Sequence, residues 1–263
     1  MKLRYTAPFD WDALVSFLAR RAIRGVEWCE ERSYARTVRI GNDAGVLRVV
    51  HDAASASLRV TIAPALRAHR AAIESKVRAM FDLDADPAAI HAHFEQDELL
   101  RDVLHAHPGV RVPGAWDPFE IAMRAIVGQQ ISVTAAISIL TSMTERFGET
   151  LDDGTRLFPT PAQLANADLA GMPRVRLDTI RAVATAFAER DITSGDDLLS
   201  IRGIGPWTAS YVSMRAFGDR DAFPAGDLVL RKAAGAANAR ELTQRAEAWR
   251  PYRAYATILL WMR

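Results

Sequence analysis

The chain lacks several residue types and patterns that define common protein classes. Its 263 residues include a single cysteine, Cys29, which excludes an internal disulfide and any iron–sulfur cluster held by cysteines. The longest apolar run, residues 131–140, is too short and too rich in Ser and Thr to span a bilayer. The N-terminus has an early acid and no signal-peptide pattern. We therefore expect a cytoplasmic protein with no membrane partner.

Lysine is also scarce, because nearly all the basic residues are arginines. Lys2, Lys76 and Lys232 are the only lysines, and the formal net charge is +1. A protein with so little net charge does not coat nucleic acid by bulk electrostatics. Any contact with nucleic acid must therefore come from a local set of donors.

Histidine is absent after residue 107. His91 and His93 do not have the spacing of metal ligands on a helix, and no cysteine or acid cluster completes a site around them. No Ser-His-Asp order or glycine-rich nucleotide loop stands out. We expect surface histidines, no required metal and no cofactor.

The first part of the chain has the pattern of a small sheet covered by helices. Alternating β-branched residues predict strands over 33–40, 46–51 and 58–62. Helices are predicted on either side, one capped by Asp10 and one over residues 65–81. Two Pro-Gly steps within 107–114 mark a boundary.

After this boundary the strand signals disappear. Helical periodicity covers residues 119–127, 131–147, 175–188, 207–217, 228–235 and 252–262. The sequence therefore predicts the α+β class with two domains. A small N-terminal antiparallel-sheet domain with helices spans residues 1–107, and an all-α domain spans residues 108–263.

The segment 198–212, LLSIRGIGPWTASYV, predicts a tight helix–hairpin–helix. Gly203 and Gly205 permit backbone angles closed to other residues and leave their amides uncovered, and Pro206 suits the first turn of the next helix. Bare amides beside the positive end of a helix can bind a phosphate, so nucleic acid is the expected partner. An ordinary turn between two helices gives the same pattern, and it stays an alternative.

Three side chains after the hairpin add candidate chemistry. Trp207 and Tyr211 lie on one helix face, where they could hold a flat base, although core packing is the alternative for both. Asp227 stands where a loop becomes a helix, so it is either a plain N-cap or a cap that also serves as a fixed anion. Cleavage of a glycosidic bond needs such an anion, because positive charge develops on the sugar.

With these segments in order, the chain resembles the DNA-3-methyladenine glycosylases of the AlkA type, within the helix–hairpin–helix superfamily of base excision enzymes. The resemblance covers nearly the whole chain. It rests on YTAPFDWDALVSFLARRA, SYARTV, DPFEIAMRAIVGQQIS, FPTPAQLA, the hairpin, PAGDLVLRK and RPYRAYATILLW. It implies an AlkA-like N-terminal domain followed by an all-α helix–hairpin–helix glycosylase domain. The implied activity is hydrolysis of the N-glycosidic bond of alkylated purines in double-stranded DNA. We expect a monomer, which suits an enzyme that scans DNA for damage.

The resemblance also implies roles for individual residues. Asp227 falls on the catalytic aspartate of the family, and Trp207 and Tyr211 fall on aromatics of its base pocket. Tyr252 falls on the C-terminal pocket aromatic, where relatives have tryptophan, and this departure would alter which bases stack well. Gln130 falls near the residue that fills the gap left by a flipped nucleotide.

In this family the hairpin anchors the DNA backbone, a role that falls on the amides of Gly203 and Gly205. The hairpin often holds a monovalent cation as well. The carbonyls implied for that cation are those of Leu199, Ile201 and Gly203.

Relatives that also cut the DNA strand have a lysine where this chain has Trp207, and Schiff-base chemistry needs an amine. We therefore expect a monofunctional glycosylase without AP-lyase activity. Two other functions stay open. A non-catalytic module that binds damaged DNA through the hairpin would not need Asp227. A glycosylase for oxidised or mismatched bases would need polar groups to read neutral base edges, and few are apparent in the expected pocket.

Overall fold

The computed structural model describes residues 1–30 and 32–263. Its first part contains a five-stranded antiparallel sheet in the order β1-β5-β4-β3-β2. The strands are β1 Lys2–Arg4, β2 Glu27–Glu30, β3 Ser33–Ile40, β4 Asp43–Asp52 and β5 Ser57–Ile62. Strands β3 and β4 are joined by a two-residue turn, with Ile40 opposite Asp43. Gly41 in this turn has a φ of +59°, the positive value that tight hairpin turns require.

Four helices accompany the sheet, and a 3₁₀ segment, Pro64–His69, precedes the second. They are α1 Trp11–Ala19, α2 Arg70–Met80, α3 Pro87–Phe94 and α4 Arg101–Ala106. Alternate residues of the strands, among them Leu47, Val49 and Leu58, are fully buried against α1 and α2. This alternation explains why the sheet has one face in a core.

Eight helices follow. They are α5 Pro118–Val127, α6 Val133–Phe147, α7 Pro161–Ala165, α8 Arg174–Glu189, α9 Pro206–Ala216, α10 Leu228–Ala233, α11 Ala239–Ala246 and α12 Arg253–Met262. Helix α5 is buried along nearly its whole length and packs against α6, α8 and α9. It therefore forms the centre of the helical part.

The α+β class is confirmed, with an antiparallel sheet first and helices after it. Among the described residues no helix combines the length and apolarity needed to cross a bilayer. The division into residues 1–107 and 108–263 stays a prediction. In the structure, α3 and α4 share a core with α10, α11 and α12, so packing continues across that position.

Candidate active site

A cavity of about 360 Å³ lies where the sheet region meets the helical part. Its walls come from the end of α1, from β2 and β3, and from α5, α6, α9, α10 and α12. Elements from both ends of the chain therefore build one concave site. A volume of this order accommodates a flat heterocycle rather than a macromolecule.

One wall of the cavity is aromatic. Trp207 and Tyr211 are four residues apart on α9, and their rings stack with centroids 5.4 Å apart and an interplanar angle of 15°. Trp261 of α12 also lines the cavity, with its ring centroid 6.3 Å from that of Tyr211. The wall thus presents aromatic faces to anything that enters.

Asp227 lies beside this wall, as the N-cap of α10. Its Oδ1 accepts hydrogen bonds from the amides of Val229 (2.8 Å) and Leu230 (3.0 Å). Its Oδ2 accepts one from the indole Nε1 of Trp207 at 3.1 Å. The cap and the anion are therefore the same group, with one oxygen bound to the helix end and the other to an aromatic of the cavity wall.

Another part of the cavity wall carries a buried ion-pair network. Glu27 and Arg36 face each other across β2 and β3. Arg36 Nη2 lies 2.6 Å from Glu120 Oε2, and Arg124 Nη2 lies 2.6 Å from Glu120 Oε1. Arg124 also pairs with Glu27, which accepts a hydrogen bond from the Tyr34 hydroxyl. The network joins the sheet to α5.

Each charge in this network is stabilised by the opposite charges beside it. Burial raises the pKa of Glu120, but Arg36 and Arg124 outweigh burial and hold that pKa at about 2. Buried charges of one sign would be strongly unfavourable without such partners. All three side chains are therefore charged at neutral pH.

Two further arginines line the cavity near the aromatic wall. Arg215 Nη1 donates to the Tyr211 hydroxyl at 2.8 Å, and Arg215 also donates to the Pro113 and Gly114 carbonyls. Arg21 lies over the Phe17 ring, 3.7 Å from its centroid. Within the described residues it forms no ion pair. Its Nη1 donates to the Phe17 carbonyl at 3.3 Å, and its remaining N–H groups are available to a ligand.

The expectation of few polar groups in the pocket is therefore wrong. The arginines and glutamates come from α1, β2, β3 and α5, and their spacing in the sequence gives no sign that they converge on α9. The charged groups of the ion-pair network already bind one another, so they have few hydrogen-bond donors and acceptors left for a ligand. Arg21 keeps N–H groups that no carboxylate of the described residues occupies.

The hairpin lies between the 3₁₀ turn Asp196–Leu198 and α9. Gly203 has a φ of +95°, and a Cβ there would meet Thr179 Oγ1 at 2.2 Å, so glycine is required on both counts. Gly205 has a φ of −106°, an angle open to any residue, so the prediction of a special angle is wrong at this position. Open space surrounds it, which leaves the N-terminal end of α9 accessible.

Two of the three carbonyls expected to hold a cation already accept hydrogen bonds. The Ile201 carbonyl accepts from the Ile204 amide at 3.0 Å. The Gly203 carbonyl accepts from Gln129 Nε2 at 3.2 Å. A carbonyl oxygen has two lone pairs, so the cation stays a prediction.

Gln130 is exposed, in the loop between α5 and α6, and has a φ of +61°. Such a conformation is costly for a residue other than glycine, and it clusters at functional sites. The neighbouring Gln129 ties this loop to the hairpin, through Gly203 and through Thr208 Oγ1 at 3.1 Å. The loop and the hairpin are therefore held side by side.

Tyr252 lies apart from the cavity. Its ring packs edge-on against His93, with centroids 5.3 Å apart, and against Tyr255 at 5.9 Å. The aromatic that α12 contributes to the cavity is Trp261. The structure therefore brings together Asp227, Trp207 and Tyr211 and replaces the fourth expected residue by Trp261.

Comparisons with known proteins cover the whole chain. Residues 1–117 match the AlkA N-terminal domain family, and residues 123–249 match the HhH-GPD superfamily of base excision DNA repair proteins. The chain is 32% identical to DNA-3-methyladenine glycosylase 2 of Escherichia coli, over 98% of this chain and 95% of that protein.

Two further matches agree with these. The chain is 34% identical to a probable bifunctional transcriptional activator/DNA repair enzyme AlkA of Mycobacterium tuberculosis, over 99% of this chain but 56% of that protein. The solved 3-methyladenine DNA-glycosylase from Archaeoglobus fulgidus superposes with a TM-score of 0.86 over 100% of this chain and 97% of that one, at 21% identity.

Proposed function

This chain belongs to the AlkA-type DNA-3-methyladenine glycosylases of the HhH-GPD superfamily, and from that membership we propose how its own residues excise an alkylated purine from duplex DNA. The reaction is hydrolysis of the N-glycosidic bond, the first step of base excision repair. The observation that carries the proposal is the Asp227 carboxylate, held by Trp207 at the edge of an aromatic cavity.

DNA contact is assigned to the face that contains the hairpin. The amides at Gly203 and Gly205, with the N-terminal end of α9, suit a backbone phosphate. Val133 and Val229, on the wall of the cavity, are about half exposed (46% and 57%). Exposed apolar side chains beside bare amides suit a partner that offers both bases and phosphates. Gln130, exposed on the adjoining loop, is proposed to occupy the gap left by the flipped nucleotide.

The flipped base is received by Trp207, Tyr211 and Trp261. Alkylation at N3 or N7 puts a positive charge on the purine, and each aromatic face attracts such a charge by about 0.5–2 kcal/mol. Flipping is least costly for a damaged or poorly paired base. The aromatic wall and the low cost of flipping a damaged base therefore both favour alkylated purines over normal bases.

Bond cleavage needs little acid catalysis in this substrate. The glycosidic electron pair leaves with the base, and a cationic purine becomes neutral as it departs. The sugar develops positive charge, which Asp227 stabilises either by direct attack on C1′, in which case water then displaces the carboxylate, or by orienting the water that adds there. The products are a free base and an abasic site.

The strand is expected to remain intact. The only lysine of the helical part, Lys232, is exposed on α10 and does not line the cavity, so no amine is placed to form a Schiff base. We further propose that the protein acts as a monomer on cytoplasmic DNA.

The test is release of methylated purines from alkylated duplex DNA by the wild type and by Asp227→Asn. An asparagine Oδ1 still accepts from the Val229 and Leu230 amides, so the variant should fold while losing the negative charge. Asp86→Asn is the matched control, because Asp86 caps α3 through the amides of Ala88 and Ala89 in the same way and lies outside the cavity.

We expect release by the wild type and by Asp86→Asn, unbroken strands in both, and no release by a folded Asp227→Asn that still binds the DNA. Equal release by all three would reduce Asp227 to a helix cap. Binding without release by the wild type would favour a non-catalytic damage-binding module.

A further inference from the structure

A cluster of metal-ligating side chains lies outside the cavity, on α3, on the residue that follows it and on α4. His91 Nδ1 lies 3.3 Å from Glu95 Oε2, and His105 Nε2 lies 3.0 Å from the same oxygen. The three ligand atoms all lie within 4.8 Å of one another. We propose that His91, Glu95 and His105 form a binding site for a divalent transition-metal ion of the zinc type.

The separations of these atoms fit that ion. Zinc binds imidazole nitrogen and carboxylate oxygen at about 2.0–2.2 Å in tetrahedral sites, which places neighbouring ligand atoms roughly 3.3 Å apart. Both histidine-to-glutamate separations are already close to this value. An ion between the three groups therefore requires rotation of side chains rather than movement of helices.

The two helices hold the ligands in place. His91 and Glu95 are four residues apart, one turn on the same face, and the two imidazoles stack at 5.5 Å with an angle of 17°. Asp97 fixes the turn between the helices, since its Oδ1 accepts from the amides of Leu99 and Leu100 at 2.9 Å each. Its Oδ2 accepts from Trp249 Nε1 at 2.7 Å. The turn is therefore anchored to the buried core.

The charges around the cluster also suit a cation. The cluster offers one carboxylate and two imidazoles, which are groups that zinc binds in protein sites. Arg101 is the opposing charge nearby, and it lies 3.4 Å from Asp102. Without a metal, His105 Nε2 is hydrogen-bonded to Glu95 Oε2 at 3.0 Å, and His91 Nδ1 lies 3.3 Å from the same oxygen. An ion would replace those protons and use the same lone pairs.

The ligands are partly exposed, between 37% and 48% of each side chain. An ion could therefore enter from solvent and keep a water as its fourth ligand. None of the three residues lines the glycosylase cavity. The site would act as a clip between α3 and α4, which pack on α12, and metal binding would add to folding stability.

The test is zinc chloride titrated into the metal-free, full-length protein by calorimetry, with Glu95→Gln and His105→Gln as the variants. His69→Gln is the matched control, because it removes a surface histidine–carboxylate pair of similar length, His69 to Asp43 at 2.8 Å, for which the described part of the chain supplies no third ligand. Thermal melts in EDTA establish that each variant folds.

We expect one zinc ion per chain for the wild type and for His69→Gln. Each ligand variant should bind more weakly by at least about tenfold, because even outer partners of a metal site contribute that much. Cobalt(II) should give the visible absorption of a tetrahedral complex in the wild type and in His69→Gln, but not in Glu95→Gln or His105→Gln. No zinc binding by the wild type, or equal binding by folded Glu95→Gln and His105→Gln, would show that the cluster is an ion pair only.

Discussion

The two carboxylate oxygens of Asp227 bind different neighbours. Oδ1 is used by the α10 amides, and Oδ2 is in contact with the indole of Trp207. Trp207 therefore has two roles in the proposed reaction, one through its ring face and one through its N–H. These roles can be separated, because phenylalanine keeps the first and removes the second.

Replacing Trp207 by alanine should weaken capture of the lesion by about 1–3 kcal/mol, the usual contribution of stacking between a base and an aromatic ring. Trp207→Phe should retain most of that binding but lower the single-turnover rate by about tenfold or more, since a hydrogen bond to a charged group contributes roughly 1.5–3 kcal/mol. Binding and cleavage are measured separately on one lesion duplex. A Trp207→Phe variant that binds and cleaves like the wild type would mean that the indole N–H has no role.

Arg21 bears on which base is preferred. Its guanidinium lines the cavity and has no carboxylate partner among the described residues, so it can donate to an acceptor on the base edge. A purine with an oxygen at position 6, such as 7-methylguanine, has that acceptor, whereas 3-methyladenine carries an amino group there. Arg21 should therefore favour the oxopurine.

Arg21→Met should lower excision of 7-methylguanine by about tenfold or more, the loss expected for one charged hydrogen bond, and lower excision of 3-methyladenine much less. Both are measured on the same alkylated DNA. Arg20→Met is the control, because Arg20 is exposed and does not line the cavity. A loss that is equal for the two bases would assign Arg21 a purely structural role.

Among the elements, α5 depends on charge for its attachment to the sheet. Glu120 of α5 lies between Arg36 of β3 and Arg124 of its own helix; the side chains of Glu120 and Arg36 are nearly inaccessible to solvent, and that of Arg124 is 13% exposed. Removing one partner of such a buried network leaves an uncompensated charge and typically costs about 3–5 kcal/mol. An exposed pair contributes far less.

Glu120→Gln should therefore reduce the free energy of unfolding by about 3–5 kcal/mol in urea at pH 7. Glu145→Gln, which removes the exposed Arg24–Glu145 pair, should cost less than about 1 kcal/mol. The folded-state pKa of Glu120 is depressed from 4.5 to about 2, so its contribution is complete above pH 4.5 and is lost as the pH falls towards 2. The difference in free energy of unfolding between the wild type and Glu120→Gln should therefore decrease as the pH falls from 4.5 to 2. A difference that stays constant would show that the charge of Glu120 does not stabilise the fold.

Sequence patterns predicted the long elements and missed the short ones. Strand β3 and helices α5, α6, α8, α9 and α12 carry several periods of their pattern, whereas β1, β2 and α7 have only three to five residues, too few for a period to be seen. Tyr252 and Trp261 show the same limit at the site. They are nine positions apart, which places them on roughly opposite faces of a helix. Only tertiary packing determines which of the two faces the cavity.

At the scale of the whole molecule, the fold brings together functional side chains that are far apart in the sequence. The cavity joins Arg21 to Trp207 and Trp261, and the proposed metal site joins Glu95 to His105 across two helices. Neither arrangement has a spacing that a sequence reader could recognise. The hairpin and the Asp227 cap were predictable because each is completed within a few consecutive residues.

The predicted division at residues 107 and 108 has a consequence for folding that two fragments can test. Ile90, Phe94 and Leu104 are buried against Trp249 and Leu259 in one core. A fragment of residues 108–263 would leave that face of α11 and α12 open to water, at roughly 1.5–3 kcal/mol for each large apolar side chain exposed. We expect this fragment to aggregate or to melt well below the fragment 85–263, which keeps α3 and α4. Circular dichroism melts and gel filtration compare the two, and equal stability would establish residue 108 as the start of a self-sufficient helical domain.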